Sequence, residues 1–561
     1  MSILSSIKRY IASRFPRLYD VAQMLRAFTS AGSRAALRAD KEALRHLKRQ
    51  LGGRFGDTTG DKSNKTVLFF SLGNIRACLL EAPVIAAFQK AGYDPVILLS
   101  RNAQLRRAYG LLGLHDISAI NNYQKPLTPG RISDMMDSVR TMAGLLGVTD
   151  KSVRVGKYAA SSLLRTTRRG SIDLTDTADR AIYRDALARS LAAGAAARRI
   201  IDRYNPGAVV MTDRGYTPYG EVFDVAIGRN IPVFTFNAAY RPGELVLKRF
   251  SADNVDRHFL ALSERTWSRL RALPWPDDKW QGLKQDFTES YTNGDWFAEV
   301  GTQVNVENQD RAAVIKKMSL DPEKETAIIF AHIFWDATFF YGNDLFQNYE
   351  EWLCETLRMA AGNDRINWIV KVHPANVVKD RRDGAAGEHG ELTAIRRTLG
   401  ELPDHIKVMP ADTPIGTLSL FSLMDYCLTV RGTIGVEAAC RGIRVLTAGT
   451  GRYDGYGFTA DFDSRDDYLR AVGTIESLSP MNNVEKELAR RYAYGVFKTR
   501  SIPLYSVGFG FKRNAKAEIK TWVEVENREE LMRGEDVTAI ADWIVSGDED
   551  CCHWQSDESI G

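Results

Sequence analysis

The feature that most constrains the fold is a regular alternation of short apolar runs and helical segments between residues 326 and 448. Five apolar runs occur at 326–331, 366–372, 406–409, 425–430 and 443–448. Segments with helical spacing separate them at 348–361, 391–399, 413–422 and 433–441. Because each helix carries the chain back across the sheet, strands connected in this way pair in parallel. The sequence therefore predicts a doubly wound α/β sheet in this region.

A second, less regular alternation precedes it. Predicted strands at 66–72, 94–100, 208–215 and 231–238 are interrupted by helices and by a long helical stretch at 177–204. A chain of 561 residues is too long for a single hydrophobic core. We predict two tandem Rossmann-like domains facing a cleft, a GT-B-like arrangement. The predicted regions are a basic amphipathic helical segment and linker (1–60), an N-terminal acceptor domain with a helical insertion (61–310), a C-terminal nucleotide-donor domain (311–480), and a C-terminal helix with an acidic tail (481–561).

Composition excludes several classes of protein. The chain is 44% hydrophobic and 26% charged, and no apolar run reaches the roughly 18 residues that span a bilayer. The first twenty residues lack the apolar core and cleavage site of a secretion signal, so we expect a cytoplasmic protein. The six cysteines and eight histidines show no ligand spacing, and we expect neither a structural metal nor a cofactor.

Positive charge is concentrated at the start of the chain. Residues 1–50 contain 11 Lys/Arg and 3 Asp/Glu. Six apolar residues recur there at helical spacing: Ile3, Leu4, Ile7, Tyr10, Ile11 and Phe15. Two interpretations stay open, a segment lying peripherally on an anionic membrane or a helix packed on its own protein with a solvated basic face. Nucleic acid is not expected, because base-stacking aromatics and a recognised motif are missing.

Polar side chains follow the predicted strands of the second domain, where ligands of doubly wound sheets bind. They are His332, Asp336, Lys371, His373, Arg431, Gly432 and Thr433, with Glu437 one turn into the following helix. A helix start after Gly432, which Thr433 can cap, favours phosphate. Each residue also has an ordinary structural interpretation: a snorkelling lysine, a strand-end histidine, a loop aspartate or a solvent-facing glutamate.

Five further candidates follow strands of the first domain. SLGNIRACLLE (71–81) contains Gly73, Asn74 and Arg76, and TDRGYTPYGE (212–221) contains Asp213 and Glu221. Their positions at strand ends predict an acceptor-binding side of the cleft. They are equally compatible with turn and capping roles.

Three motifs within residues 320–460 match a known family pattern. These are Lys371-Val372-His373-Pro374, the helix turn TVRGTIGVEAACRGIRVLTAG (429–449) and the loop GRYDGYG (451–457). On these motifs the chain resembles bacterial capsule polysaccharide glycosyltransferases of the GT-B type, especially Kdo transferases that use CMP-Kdo. It is more distantly similar to CDP-glycerol polymerases and bacterial sialyltransferases. The family's Gln-x-x-x-Asp motif would be His332 to Asp336 here, and its Ser-Ser pair would be Arg431-Gly432-Thr433.

The resemblance implies a mechanism. The donor nucleotide would lie on the C-terminal domain, with its phosphate held by His373, Lys371 and the 431–433 turn and its ribose by Glu437. Asp336, assisted by His332, would deprotonate the acceptor hydroxyl for a single inverting displacement that needs no metal.

The predicted function is therefore transfer of a sugar, Kdo-like, from a nucleotide-sugar to a surface polysaccharide or lipid-linked saccharide in capsule biosynthesis. Three alternatives remain: a CDP-glycerol-type polyol-phosphate transferase, a sugar-nucleotide 2-epimerase, and a non-catalytic partner in capsule assembly or export.

Overall fold

The computed structural model describes residues 31–53, 55, 65–100, 102–125, 129–137, 139–293, 308–384, 387–511 and 519–554. The amphipathic pattern predicted between Ile3 and Phe15 lies outside these ranges.

The described residues form fourteen strands and twenty α-helices. The strands are β1 (Thr66–Phe70), β2 (Asp94–Leu99), β3 (Ile117–Ala119), β4 (Ala208–Met211), β5 (Val233–Ala238), β6 (Glu244–Phe250), β7 (Thr326–Phe330), β8 (Asn367–Lys371), β9 (Ile406–Met409), β10 (Tyr426–Thr429), β11 (Arg444–Thr447), β12 (Ile502–Pro503), β13 (Val507–Phe511) and β14 (Ile519–Val523). The helices are α1 (Ala31–Leu51), α2 (Cys78–Lys90), α3 (Ala103–Leu111), α4 (Pro129–Asp137), α5 (Met142–Leu146), α6 (Val155–Thr167), α7 (Thr177–Tyr204), α8 (Tyr219–Ile227), α9 (Glu264–Ala272), α10 (Asp277–Asn293), α11 (Arg311–Met318), α12 (Tyr349–Ala361), α13 (Ala375–Asp383), α14 (Gly390–Leu399), α15 (Thr417–Leu420), α16 (Thr433–Cys440), α17 (Arg465–Gly473), α18 (Asn483–Tyr494), α19 (Arg528–Arg533) and α20 (Glu535–Ser546).

Two sheets, one mainly and one wholly parallel, share the same order over the five strands that pair in parallel, and they confirm the predicted fold class. The first sheet has the order β12-β6-β5-β4-β1-β2-β3, in which only β6 and β12 pair antiparallel. The second has the order β11-β10-β7-β8-β9 and is parallel throughout. In each domain the first strand lies between the second and the fourth. The topological switch points, where such sheets bind ligands, are therefore at β1/β4 and at β7/β10.

Three helices within the predicted range of the second domain, α11, α13 and α17, were not predicted, and α13 bears on the site. Helix α13 follows the His373-Pro374 step, and Pro374 is its N-cap with φ −65°. Proline is tolerated at a helix start because the amide it lacks would have no partner there. This short connection places the side chains of α13 at the same edge of the sheet as the carboxyl end of β8.

The core of the second domain extends beyond the predicted range of 311–480. Helices α9 and α10 contribute Trp267, Leu283 and Phe287 to the same apolar cluster as Ile328 of β7 and Cys427 of β10. These helices lie in the range that the sequence assigned to the acceptor domain. Their buried aromatic side chains, rather than their position in the chain, decide which sheet they cover.

The C-terminal region is not the separate helix and acidic tail predicted for 481–561. After α18 the chain makes a π-helical turn at Gly495–Thr499 and returns to the first domain, where β12 pairs with β6. Helix α20 then buries Ile540 and Trp543 in a cluster with Phe88 and Phe234. Burial of these apolar side chains against α2 and β5 explains why the segment folds onto the first sheet.

A buried carboxylate holds the end of this returning segment. Asp550 accepts hydrogen bonds from Lys248 Nζ (3.0 Å) and from the Ser263 amide (2.7 Å), and it lies 3.4 Å from Arg500 Nη2. All three charged side chains are fully buried. Burial alone would raise the pKa of Asp550, but Arg500 and Lys248 outweigh it and lower that pKa well below its usual range.

Replacing Asp550 by alanine is expected to lower the free energy of unfolding by about 3–5 kcal/mol, because among the described residues it leaves buried Arg500 without a carboxylate partner and Lys248 with only Glu549. Urea denaturation measures the loss. The matched control is Asp548→Ala, whose partner Arg265 is 81% exposed and whose loss should cost under about 1 kcal/mol. Equal losses of unfolding free energy in Asp550→Ala and Asp548→Ala would contradict a stabilising role for the buried charges around Asp550.

Candidate functional site

A histidine joins the two strands at the switch point of the second sheet. The Val430 amide donates to His332 Nε2 (3.2 Å), which also lies 3.1 Å from Thr429 Oγ1. The ring stacks on Tyr349 with centroids 4.4 Å apart. Burial, with His373 and Arg431 nearby, lowers the pKa of His332 well below its usual value, so the ring is neutral and carries its proton on Nδ1. Among the described residues, Asp336 is not one of its hydrogen-bond partners.

Lys371, the last residue of the neighbouring strand β8, is a buried lysine. Its side chain points to the face of the sheet that carries Ile369, and the residue is only 2% exposed. Within the described part of the chain, Nζ has no hydrogen-bond partner. Burial lowers the pKa of Lys371 to about 8. The amine is therefore charged at neutral pH and lacks the counter-charge that a buried ammonium needs.

His373 follows two residues later and is exposed to the cleft. The Ala375 amide donates to its Nδ1 (3.1 Å), so the neutral ring presents Nε2–H as a donor. Although part of the residue is exposed, neighbouring protein atoms desolvate the ring, and with Lys379 and Lys371 nearby this lowers the pKa of His373 to about 4. A neutral imidazole donor beside a buried ammonium suits an anion.

Arg431, which follows β10, is buried, and only part of its guanidinium group is hydrogen-bonded to the described residues. Nη2 pairs with Asp344, and Nε donates to the Thr450 carbonyl (3.1 Å). Nη1 is buried and, among the described residues, has no hydrogen-bond partner. Because β10 and β8 flank β7, Arg431 and Lys371 lie on either side of His332.

The start of helix α16 differs from the prediction that Thr433 caps it. Gly432 is the N-cap, with an extended backbone at φ −66°, and its amide donates to Thr429 Oγ1 (3.1 Å). The Tyr453 hydroxyl donates to the Gly432 carbonyl (2.8 Å). A side chain at Gly435 would collide with that hydroxyl. Gly435 therefore makes room for Tyr453.

An arginine that the sequence analysis missed organises this turn. Arg452 donates to the Arg431 carbonyl (2.8 Å), to Thr433 Oγ1 (2.8 Å) and to the Tyr240 hydroxyl (3.1 Å). It is buried. The loop GRYDGYG was recognised as a motif, and its arginine was the available signal. Arg452 links the 431–433 turn to Tyr240, which follows β5 of the first domain.

Glu437 is buried one turn into α16. Its carboxylate accepts a hydrogen bond from the Tyr291 hydroxyl (2.8 Å). Burial raises the pKa of Glu437 to about 7. The predicted role in binding ribose stays a prediction, and it requires Tyr291 to share or release this carboxylate.

Asp336 joins the two domains. Arg165 Nη1 (2.7 Å) and the Tyr216 hydroxyl (3.0 Å) donate to its Oδ1, and Lys379 pairs with Oδ2. Burial would raise the pKa of Asp336, but Lys379 and Arg165 outweigh it and the pKa is lowered. The sequence predicted Asp336 but none of these partners. Its role as the base stays a prediction.

The acceptor-side candidates separate into two groups. Asp213 follows β4 at the switch point of the first sheet, where its Oδ1 accepts the Gly215 amide (3.0 Å). Burial raises the pKa of Asp213, and the nearby charges of Arg165 and Asp336 act on it. Glu221 instead lies in the interior and accepts hydrogen bonds from Ser190 (2.6 Å) and Thr217 (2.7 Å). Burial raises its pKa to about 7.

The loop after β1 contains the other three. Gly73 has φ +73°, a conformation that favours glycine. Asn74 Oδ1 accepts the Arg76 amide (2.9 Å) and caps a short 3₁₀ helix, Ile75–Ala77. Buried Glu81 accepts the Leu72 amide (2.6 Å) and holds the start of the loop. These bonds are turn and capping contacts, and they fix the shape of the loop beside the cleft.

Comparison with known proteins gives distant structural likenesses. No family model and no curated protein matches the chain. Two solved structures of KpsC from Thermosulfurimonas dismutans are similar to it. The β-Kdo 2,4 transferase is 16% identical, with 51% of this chain and 87% of that chain covered and a TM-score of 0.28. The β-Kdo 2,7 transferase is 12% identical, with 55% and 82% covered and a TM-score of 0.32.

A UDP-GlcNAc 2-epimerase from Neisseria meningitidis is also similar, at 13% identity, with 76% of this chain and 95% of that chain covered and a TM-score of 0.22. Kdo transferases, the family that the sequence resembles, are thus among the matched structures. At these TM-scores we draw no functional conclusion from any of the three likenesses.

Proposed function

We propose that the chain is an inverting glycosyltransferase that transfers a sugar from a nucleotide-sugar donor, of the CMP-Kdo type, to a surface polysaccharide or glycolipid in capsule biosynthesis. The observation that carries the proposal is the buried ammonium of Lys371, which has no hydrogen-bond partner in the part of the chain that the structure describes. An uncompensated buried charge costs several kcal/mol, and a bound phosphate at the same edge of the sheet would supply the counter-charge.

Three other groups support a phosphate there. His373 offers Nε2–H, Arg431 Nη1 has no hydrogen-bond partner among the described residues, and the first amides of α16 lie beside Arg431. Charge-assisted hydrogen bonds and a helix N-terminus both favour an anion. Such a site is suited to stabilising the nucleotide phosphate as it departs, and the proposed reaction needs no metal for this step.

The proposed chemistry is a single displacement. The acceptor hydroxyl oxygen forms a bond to the anomeric carbon while the bond from that carbon to the donor phosphate breaks, and the anomeric configuration inverts. Asp336 is the proposed acceptor of the hydroxyl proton, with His332 fixing the backbone of β10 beside it. Glu437 is the proposed partner of the ribose hydroxyls.

The acceptor would bind on the first-domain side of the cleft. Asp213 and the loop containing Gly73, Asn74 and Arg76 lie at the carboxyl ends of β4 and β1, the neighbouring strands of that switch point. A cytoplasmic enzyme that lies on the inner face of the membrane through residues 1–50 would meet lipid-linked acceptors there.

Thermal shift with free nucleotides tests the proposal. We expect CMP to raise the melting temperature and cytidine, which lacks the phosphate, to leave it unchanged. Stabilisation by UDP rather than CMP would change the donor, and conversion of a UDP-sugar without any acceptor would establish an epimerase. If CMP, CDP, UDP and GDP all fail to stabilise the protein, the nucleotide-dependent functions are excluded and a non-catalytic role is left.

A further inference from the structure

Helix α1 presents a stripe of cations to solvent. Arg38, Lys41, Arg45, Lys48 and Arg49 are all exposed and recur three or four residues apart, so they share one face of the helix. The opposite face buries Ala43, Leu47 and Leu51 in the core of the first domain. Among the described residues, none of the five cations has a carboxylate partner. The basic stripe is thus a fixed feature of the folded surface.

The β13–β14 hairpin lies directly beside this helix. Gln50 of α1 donates to the Thr521 carbonyl (3.0 Å). Alternation along β14 turns Thr521 inward and leaves Lys520 and Trp522 on the outer face. Trp522 is 42% exposed, and its ring lies across Gly508 of β13, where any side chain would collide with it. A partly exposed indole therefore lies on the strand that contacts helix α1.

The same hairpin contacts the acceptor side of the cleft. The Thr521 hydroxyl donates to the Arg76 carbonyl (2.7 Å) in the 3₁₀ helix that follows β1. Leu72, at the start of that loop, is 37% exposed. Helix α1, strand β14 and the acceptor-side loop are therefore linked by direct hydrogen bonds.

We propose that α1 and the β13–β14 hairpin form one surface that docks on an anionic lipid bilayer, with Trp522 inserted at the headgroup level. Lys and Arg near an anionic leaflet are attracted to it, and Trp and Leu are the side chains that enter the interface of a peripheral protein. No described helix is long and apolar enough to cross the bilayer. Exposed apolar side chains favour a bilayer over a soluble polyanion.

The docking surface deepens the proposed function, because it sets the acceptor-side loop facing the bilayer that would hold a lipid-linked acceptor. That relation to the acceptor rests on the proposed function. Docking on the bilayer does not depend on the proposed function, because vesicle binding is measured without any transfer reaction.

Co-sedimentation with phosphatidylcholine vesicles containing 30% phosphatidylglycerol (an amount we choose) tests the basic stripe. Lys41→Gln/Arg45→Gln/Lys48→Gln is expected to bind about 100-fold more weakly, because each cation near an anionic surface contributes about 1 kcal/mol. The matched control, Arg358→Gln/Arg396→Gln/Arg470→Gln, removes the same charge from exposed positions of the second domain and should bind as wild type. Far-UV circular dichroism confirms that both variants are folded.

Quenching by lipids brominated on the acyl chain tests the position of the indole. We expect these vesicles to quench wild-type tryptophan fluorescence and Trp522→Phe to lose most of that quenching while it still binds. Wild-type vesicle affinity in the triple variant, or undiminished quenching in Trp522→Phe, would overturn the proposal. The proposal would also be overturned if the triple variant lost binding to dextran sulfate but kept its binding to vesicles, since the surface would then serve a soluble polyanion.

Discussion

The Lys371→Met variant is expected to bind the donor nucleotide about 100-fold more weakly than wild type, because a charge-assisted hydrogen bond contributes about 1.5–3 kcal/mol. Its ligand-free form should nevertheless be more stable. Burial lowers the pKa of Lys371 from 10.5 to about 8, and a shift of that size corresponds to a cost on the order of 3 kcal/mol at neutral pH. Methionine removes this cost. Isothermal titration with CMP and urea denaturation of the same samples measure the two effects.

The pH dependence follows from the direction of the shift. Between about pH 8 and 10.5 the unfolded protein binds a proton that folded Lys371 does not, so ligand-free stability should rise with pH in that window relative to Lys371→Met. Nucleotide affinity should fall above about pH 8, because the amine loses its charge.

Lys407→Met on the adjacent strand β9 is the matched control for this experiment. Lys407 is paired in register with Ile369 of β8, and it is a partly exposed lysine on the same sheet. We expect it to change neither nucleotide affinity nor its pH dependence. Wild-type affinity for CMP in Lys371→Met would remove Lys371 from the phosphate site.

Asp336→Asn is expected to lower the rate of sugar transfer about 10²–10⁴-fold, the usual contribution of a positioned general base. Nucleotide affinity should stay nearly unchanged, since none of the partners of Asp336 is a proposed phosphate ligand. Single-turnover transfer and CMP titration separate the two quantities.

Asp336 also connects the domains through Arg165 and Tyr216, so a second carboxylate is needed as the control. Asp380→Asn breaks another contact between the same domains, the 2.8 Å pair with Arg168, and lies outside the proposed catalytic groups. It should lower the rate far less than Asp336→Asn. Equal losses would mean that Asp336 acts by holding the domains together.

A pH–rate profile then distinguishes Asp336 from Asp213. A base must be ionised, so the rate rises with pH through its pKa. The pKa of Asp336 is lowered below 3.8 and that of Asp213 is raised above it. A rate that is flat from pH 5 to 8 agrees with Asp336, whereas an acidic limb that disappears in Asp213→Asn would transfer the role to Asp213.

The strands of the second domain could be predicted closely because each is a short, mostly buried and mostly apolar run. Strand β9 was predicted at its observed limits, and β7, β8, β10 and β11 within one residue at each end. Helix α13 was missed because ANVVKDRRD is polar over most of its length and has no periodic apolar face. Lys379, which pairs with Asp336, was missed with it.

Only those site residues that lie at the end of a strand could be predicted from the sequence. Lys371, His373 and Arg431 follow strands of one sheet, so parallel pairing alone brings them to one edge. The contacts of Asp336 come from Arg165, 171 residues away, and from Tyr216, 120 residues away. Such contacts depend on how two domains pack, and no local pattern encodes them. The same limit applies to β12 and α20, whose place in the first sheet is decided by tertiary burial.

The return of residues 502–551 to the first domain also sets an order of events during synthesis. Phe88 and Phe234 leave the ribosome early, yet Ile540 and Trp543, which cover them, follow roughly 300 residues after β5. At typical elongation rates that wait lasts about 15–60 s. Strands β7 to β11 are contiguous in the chain and can assemble during that wait. The domain synthesised first is therefore the last to be completed, and its uncovered α2 face is where a nascent chain would need a chaperone.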